Sequence, residues 1–132
     1  MNRLRRAWAK PETIVVHEQF WTATAKHADI VLPATTSMER SDIASATREG
    51  YLVAMKPVIP PVGEARDDYA IFTGLARRLG AEDVYTEGRS ERDWLVWLYE
   101  DSRTRARAIG VHLPPFEEFW QADIVRLAAH EA

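Results

Sequence analysis

Three polar residues, His17-Glu18-Gln19, follow a run of apolar and β-branched residues and have side chains that can bind a polar ligand. Open parallel sheets bind ligands beyond the carboxyl ends of their strands, and a second such end lies after Pro33. Thr22 could cap a short helix there, whose free backbone N–H groups suit a phosphate. A carboxylate such as that of Glu18 can accept two hydrogen bonds from the N1–H and 2-amino edge of guanine. These residues indicate a nucleotide as one candidate ligand.

The glycine pattern disfavours the commonest nucleotide sites. The chain has neither GxGxxG nor GxxxxGK, the sequences whose glycines bring the backbone close to phosphates. An ordinary dinucleotide-binding or P-loop site is therefore not expected.

The elements that would position these residues are two buried strands and a short helical turn. Apolar runs predict strands over 12–17 and 29–32, and residues 22–27 predict a helical turn between them. A strand, a helix and a strand with no hairpin turn indicate a βαβ crossover, and so a parallel sheet buried on both faces.

In the rest of the chain, the sequence predicts one further strand and several helices. A short helix is predicted over 2–9, a long functional loop over 34–50, a strand over 51–56 and an extended proline-rich connector after it. One helix begins at Arg66 or Asp67 and ends before Gly80. Another begins at a capping-box-like Ser90 and continues to Ile109, and 114–120 forms a last helical turn. We therefore predict a single α/β domain over residues 1–132, a parallel-sheet, Rossmann-like layered fold.

Composition narrows the class of protein further. The 132 residues carry a net charge of −3, and 46% of them are hydrophobic, as in a globular domain. We expect no nucleic-acid partner, because no overall basic field is present. No apolar stretch approaches the ~20 residues of a membrane span. The lack of cysteine excludes disulfides, thiolate metal sites and cysteine-ligated iron–sulfur clusters within the chain.

A family resemblance makes the ligand more specific. The segment 20–36, FWTATAKHADIVLPATT, resembles the signature of the dimethyl sulfoxide reductase family of molybdopterin oxidoreductases. Glu39-Arg40-Ser41-Asp42 and the run 64–69, EARDDY, follow at the spacing of that family. The likeness extends from Asn2 to Arg126 and is greatest to the trimethylamine N-oxide, dimethyl sulfoxide and biotin sulfoxide reductases.

The resemblance implies a cofactor and a set of contacts. Members of the family bind molybdenum through two molybdopterin guanine dinucleotides (bis-MGD), each held by one of two related α/β domains, and this chain resembles part of the second. It implies cofactor contacts at His17, Glu18, Thr22 and Arg40, and at Asp68 as the guanine-binding aspartate. Relatives often have Gln-Asp where this chain has His17-Glu18, so the glutamate reaches one methylene further.

The resemblance also implies that this chain is an internal part of a larger multidomain bacterial enzyme. Nothing in it matches the serine that supplies an oxygen ligand to molybdenum, so we expect no catalytic residue and no metal ligand here. The parent would reduce an S- or N-oxide by oxygen-atom transfer, with the rest of that enzyme as the partner of this segment. The isolated chain is expected to lack the cofactor and to be inactive.

Two alternatives from other classes remain open. The chain could be a stand-alone α/β module that binds a guanine nucleotide or assists assembly, without redox activity. It could also be a folded domain that binds nothing, because half of the site is missing.

Several of these residues also have ordinary structural explanations. Glu39 and Arg40 could form an exposed ion pair of little energetic value, and Asp68 could simply favour a helix N-terminus. We expect the core to include two tryptophans of one predicted helix and a neighbouring leucine: Trp94, Trp97 and Leu98. We expect an exposed apolar patch that packs against the rest of the parent enzyme and favours self-association of the isolated chain, namely Phe116, Phe119 and Trp120.

Overall fold

The computed structural model describes residues 2–46 and 50–127, which fold as five α-helices, five β-strands and one short 3₁₀ helix. The predicted α/β class is confirmed. None of the described helices is long and apolar enough to cross a membrane. The helices are α1 Asn2–Trp8, α2 Asp68–Arg78, α3 Glu82–Thr86, α4 Glu91–Ala108 and α5 Phe116–Ala122; the strands are β1 Val15–Glu18, β2 Ile30–Pro33, β3 Asp42–Ala46, β4 Tyr51–Met55 and β5 Ile124–Arg126; the 3₁₀ helix is Ala25–His27.

Strands β1 and β2 are parallel, as predicted, and the 3₁₀ helix lies between them in the chain. The predicted burial on both faces is wrong, since Val15 is 49% exposed and Ile30 is 48% exposed. Burial on both faces requires helices on both sides of a parallel sheet. In the part of the chain that the structure describes, this sheet has two strands, and their first residues are not covered.

A second sheet, antiparallel and ordered β3-β4-β5, was not predicted. The sequence predicted a loop over 34–50, but residues 42–46 of this segment form strand β3. Residues 47–49 of the predicted loop lie outside the described residues. The small side chains of β3 hide the alternation that marks a strand, although Ile43 pairs with Ala54 of β4. Gly50, immediately before β4, has a φ of +67°, a conformation that favours glycine.

The core is an aromatic cluster where α4, α5 and the antiparallel sheet meet. The Tyr99 and Phe119 rings stack with centroids 4.5 Å apart, and Phe116 packs edge-on against Tyr99 at 5.7 Å. Ala54 of β4 completes the buried set. The Tyr99 hydroxyl donates to the carbonyl of Pro114 at 2.9 Å, and burial raises its pKa to about 12. The hydroxyl is therefore a permanent donor that fixes the turn before α5.

This core overturns the predicted apolar patch. Phe119 is 0% exposed and Phe116 is 3% exposed, while Trp120 is partly buried against them. Helix α5 folds back onto α4, so its apolar side is covered within the chain and offers no surface for self-association. Other large apolar side chains of the chain are exposed, Phe20 and Trp21 among them.

The prediction for the aromatic pair of α4 is also partly wrong. Trp97 and Leu98 are 46% and 50% exposed, whereas Leu95 and Val96 pack on the core beside Tyr99. Residues 94–99 are all apolar, so periodicity cannot tell which side of the helix faces inward.

The predicted helix ends are confirmed. Asp67 caps α2 by accepting a hydrogen bond from the Ala70 N–H at 2.7 Å. Ser90 and Asp93 form a capping box at the start of α4. Gly80 follows α2 with a φ of +69°. These signals act within one turn of helix, so local sequence decides them.

Candidate nucleotide site

The carboxyl ends of β1 and β2 lie at one edge of the parallel sheet, because the strands run in the same direction. The chain just before α2 extends this edge through a parallel bridge between Ala34 and Arg66. The Arg66 N–H donates to the carbonyl of Pro33 at 3.1 Å, and the Thr35 N–H donates to that of Arg66 at 3.0 Å. The start of α2 is thereby fixed beside the strand ends.

This arrangement brings two of the predicted site residues together. The Nδ1 of His17, near the end of β1, lies 3.0 Å from Oδ1 of Asp68, the first residue of α2. An ionised carboxylate only accepts hydrogen bonds, so Nδ1 carries the proton in this pair. The His17 side chain is 21% exposed and that of Asp68 is 68% exposed. The histidine therefore orients a carboxylate that keeps free acceptor positions toward solvent.

Glu18 and Thr22 form a second contact at the same edge. One oxygen of Glu18 accepts from the Thr22 hydroxyl at 2.8 Å, and the other accepts from the Gln19 N–H at 3.0 Å. The Thr22 oxygen in turn accepts from the Ala25 N–H at 3.2 Å, which closes the turn before the 3₁₀ helix, although the N-cap of that helix is Thr24 and makes no side-chain bond. The hydrogen bond from Thr22 is the main cause of a lowered pKa of Glu18. Glu18 is engaged in holding the turn, and its contact with guanine stays a prediction.

Arg40 is not part of either pair. Its guanidinium lies 2.5 Å from the carboxylate of Asp42, and both side chains are about one-third exposed. Among the described residues it has no hydrogen bond to the other predicted site residues. Arg40 is close enough to Glu91 to oppose the rise of its pKa, which burial and the charge of Asp67 cause. It therefore lies near the first turn of α4, with one guanidinium nitrogen in use.

The expected ion pair between Glu39 and Arg40 is wrong. Glu39 is 7% exposed and accepts three hydrogen bonds, from the Thr36 N–H at 2.7 Å, the Thr36 hydroxyl at 2.8 Å and the Val62 N–H at 2.7 Å. The bonds from Thr36 and Val62 lower the pKa of Glu39. This carboxylate ties the loop after β2 to the connector before α2, and backbone N–H groups take the place of the expected arginine.

Thr35, two residues after the end of β2, is a candidate site residue that the sequence analysis did not name. It is 4% exposed, and its hydroxyl has no hydrogen-bond partner within the described ranges. Buried hydroxyls are usually paired, but the same lack of a partner among the described residues is found for the Thr73 hydroxyl on α2, so it does not by itself indicate a ligand. The side chain of Gln19 donates to the Thr35 carbonyl at 2.9 Å. The position of Thr35 shortly after Pro33, beyond a strand end, could have indicated it as a candidate, but the residue type alone does not distinguish it.

The candidate site is an open edge of the sheet. Two surface grooves lie elsewhere on the molecule, one of about 500 Å³ beside Trp21 and Lys26 and one of about 410 Å³ between α1 and β1. Residues 2–46 and 50–127 contain no cluster of three or more histidine, aspartate and glutamate side chains able to hold a metal ion.

Known proteins share both the sequence and the fold. Residues 1–78 match the model of the family described as molybdopterin oxidoreductase. The chain is 50% identical to the biotin sulfoxide reductase of Cereibacter sphaeroides over 91% of its own length and 16% of that protein. It is 48% identical to the dimethyl sulfoxide/trimethylamine N-oxide reductase of Rhodobacter capsulatus, over 94% of this chain and 15% of the relative.

A solved structure extends the likeness to the fold alone. The acetylene hydratase of Pelobacter acetylenicus superposes with a TM-score of 0.62 at 23% identity, over 93% of this chain and 16% of that one. The chain thus spans about a sixth of the length of each of these proteins.

Proposed function

Because this chain belongs to the molybdopterin oxidoreductase family, we propose that it is the segment of an S- or N-oxide reductase that holds one pterin-guanine dinucleotide. The observation that carries this proposal is the pair His17 and Asp68, which presents an oriented, exposed carboxylate at the strand ends. Family membership favours this function over a stand-alone nucleotide-binding or assembly module.

The residues at this edge fit such a ligand. The carboxylate of Asp68 would accept from the N1–H and 2-amino group of guanine, since a carboxylate has acceptor positions beyond the one that His17 occupies. Arg40 would contact a phosphate through the guanidinium nitrogens that Asp42 leaves free.

The part played by this chain is binding and orientation. When bound in a complete enzyme, the molybdenum cofactor would supply the redox chemistry of sulfoxide or amine N-oxide reduction. His17 would keep the carboxylate of Asp68 in one orientation, and Glu18 would keep the turn at Thr22 closed. The isolated chain would not turn over, because the bound cofactor carries the redox chemistry and the protein supplies binding and orientation.

The test is guanine recognition by the purified chain. We expect GDP to bind more tightly than ADP, and Asp68→Asn to weaken GDP binding about tenfold or more, because a two-bond contact to a base edge contributes about 1–3 kcal/mol of discrimination. Asparagine can offer only one acceptor to the two guanine donors. Isothermal titration calorimetry with both nucleotides measures the difference.

Asp83→Asn is the matched control, since Asp83 is an exposed aspartate in the first turn of another helix, α3. It should leave GDP affinity unchanged. No heat with GDP at millimolar concentration, or equal affinity for GDP and ADP, would contradict the proposed function and would favour a domain that binds no guanine nucleotide.

A further inference from the structure

An aromatic side chain lies beside the proposed guanine contact. Phe72 is on α2, four residues after Asp68, and is 45% exposed. Its ring centroid lies 4.9 Å from that of His17, with the two planes tilted by 44°. The histidine that hydrogen-bonds Asp68 thus also touches Phe72.

Helix geometry places Asp68 and Phe72 on the same side of α2. Side chains four residues apart lie on the same side of a helix, and a long side chain leans toward the turn before its own position. The ring of Phe72 therefore leans toward Asp68. His17 contacts both residues from the neighbouring strand, which confirms that the three side chains lie together.

The exposure of this ring is a second observation. Phe72 also lies near Tyr85 of α3, at a centroid distance of 6.4 Å, but these neighbours leave nearly half of it open. An exposed aromatic ring beside a carboxylate matches the two needs of a purine, which has polar donors at its edge and an apolar π-face.

We propose that Phe72 is a binding residue that stacks on the guanine base whose edge Asp68 binds. This inference rests on the proposed function. Asp68 selects guanine by its donor groups, whereas Phe72 contributes affinity for any purine through its ring face. His17 connects the two, because its ring packs on Phe72 while its Nδ1–H holds the carboxylate.

The experiment separates the two contributions with two ligands. GDP carries the 2-amino group of guanine, and IDP lacks it while keeping the same purine face. We expect Phe72→Leu to weaken both ligands by the same factor, about fivefold or more, because stacking does not depend on the 2-amino group. Asp68→Asn should weaken GDP by a larger factor than IDP. Phe72→Trp should retain or increase the affinity for both.

Leu75→Ala is the control, because Leu75 is a half-exposed apolar residue on the same helix, one turn further from Asp68. It should change neither affinity. Thermal unfolding followed by circular dichroism shows whether each variant keeps its fold.

The outcomes distinguish this inference from the proposed function. A wild-type chain that binds no GDP contradicts the proposed function, and the stacking role falls with it. Wild-type binding that Phe72→Leu leaves unchanged overturns the stacking role alone. The stacking role is also overturned if Phe72→Leu weakens GDP but not IDP, or if its loss of affinity accompanies unfolding and Phe72→Trp does not restore it.

Discussion

Phe119→Ala is expected to lower the free energy of unfolding by about 3–5 kcal/mol, the usual cost of removing a buried phenyl ring. Phe119 is fully buried and stacks on Tyr99 at 4.5 Å, between α4 and the antiparallel sheet. The substitution removes that stacking and leaves a cavity that close packing cannot fill. Urea unfolding followed by tryptophan fluorescence measures the change.

Phe20→Ala is the matched control, because Phe20 is the same residue type at 68% exposure. It should change stability by less than about 0.5 kcal/mol. If Phe119→Ala does not fold, Phe119→Leu, which keeps more of the side-chain volume, should give a smaller, measurable loss. A neutral Phe119→Ala, accompanied by reduced self-association, would instead support the exposed patch first predicted from the sequence.

Glu39→Gln is expected to destabilise the chain at neutral pH. It should also make the free energy of unfolding depend less on pH in the acid range. The hydrogen bonds from Thr36 and Val62 lower the pKa of Glu39 in the folded state. A lowered pKa means that the stabilisation is complete above the ordinary glutamate range, about pH 4. It is lost as the pH falls through the folded-state value. Glutamine carries one acceptor oxygen, so it cannot replace both oxygens of the carboxylate.

Urea unfolding of both proteins between pH 7 and pH 3 checks this prediction. The difference in unfolding free energy should be largest at pH 7 and should shrink as the pH falls below the ordinary glutamate value toward the lowered pKa of Glu39. Glu12→Gln, at an exposed position, removes the same charge and should leave the pH dependence nearly unchanged. A difference that stays constant over this pH range would show that the charge of Glu39 does not contribute.

Helix ends and the parallel strand pair could be predicted from the sequence because their signals are local. Asp67, Ser90 and Gly80 act on backbone groups within one turn. The strands β1 and β2 are close in the chain, so the lack of a hairpin turn was enough to indicate their direction.

The antiparallel sheet could not be predicted, because its pattern is weak and its pairing is distant. β3 has small side chains such as Ala44 and Ser45, which give no clear alternation of apolar and polar residues. β5 is three residues long and pairs with β4, which lies far earlier in the chain. Phe116 and Phe119 pack on Tyr99 of α4 and join Ala54 of this sheet in the core, and no local pattern reveals these distant contacts.

In the candidate site, too, the residues could be named from the sequence but their contacts with one another could not. Sequence reasoning named His17 and Asp68 separately, but their hydrogen bond depends on the bridge between Ala34 and Arg66, which no local pattern reveals. For Glu39, side-chain type suggested an arginine partner, while the actual partners are mainly backbone N–H groups. Backbone partners of this kind leave no trace in residue type.

The pairing of β5 with β4 also bears on the order in which the chain folds. Helices α2–α5 all lie between these two strands in the sequence, so the pairing closes a long loop. The entropy cost of closure rises with loop length, whereas the β3–β4 hairpin closes over only a few residues. We therefore expect the hairpin to form before β5 pairs with β4. Folding should accordingly be slower than the helix content alone suggests.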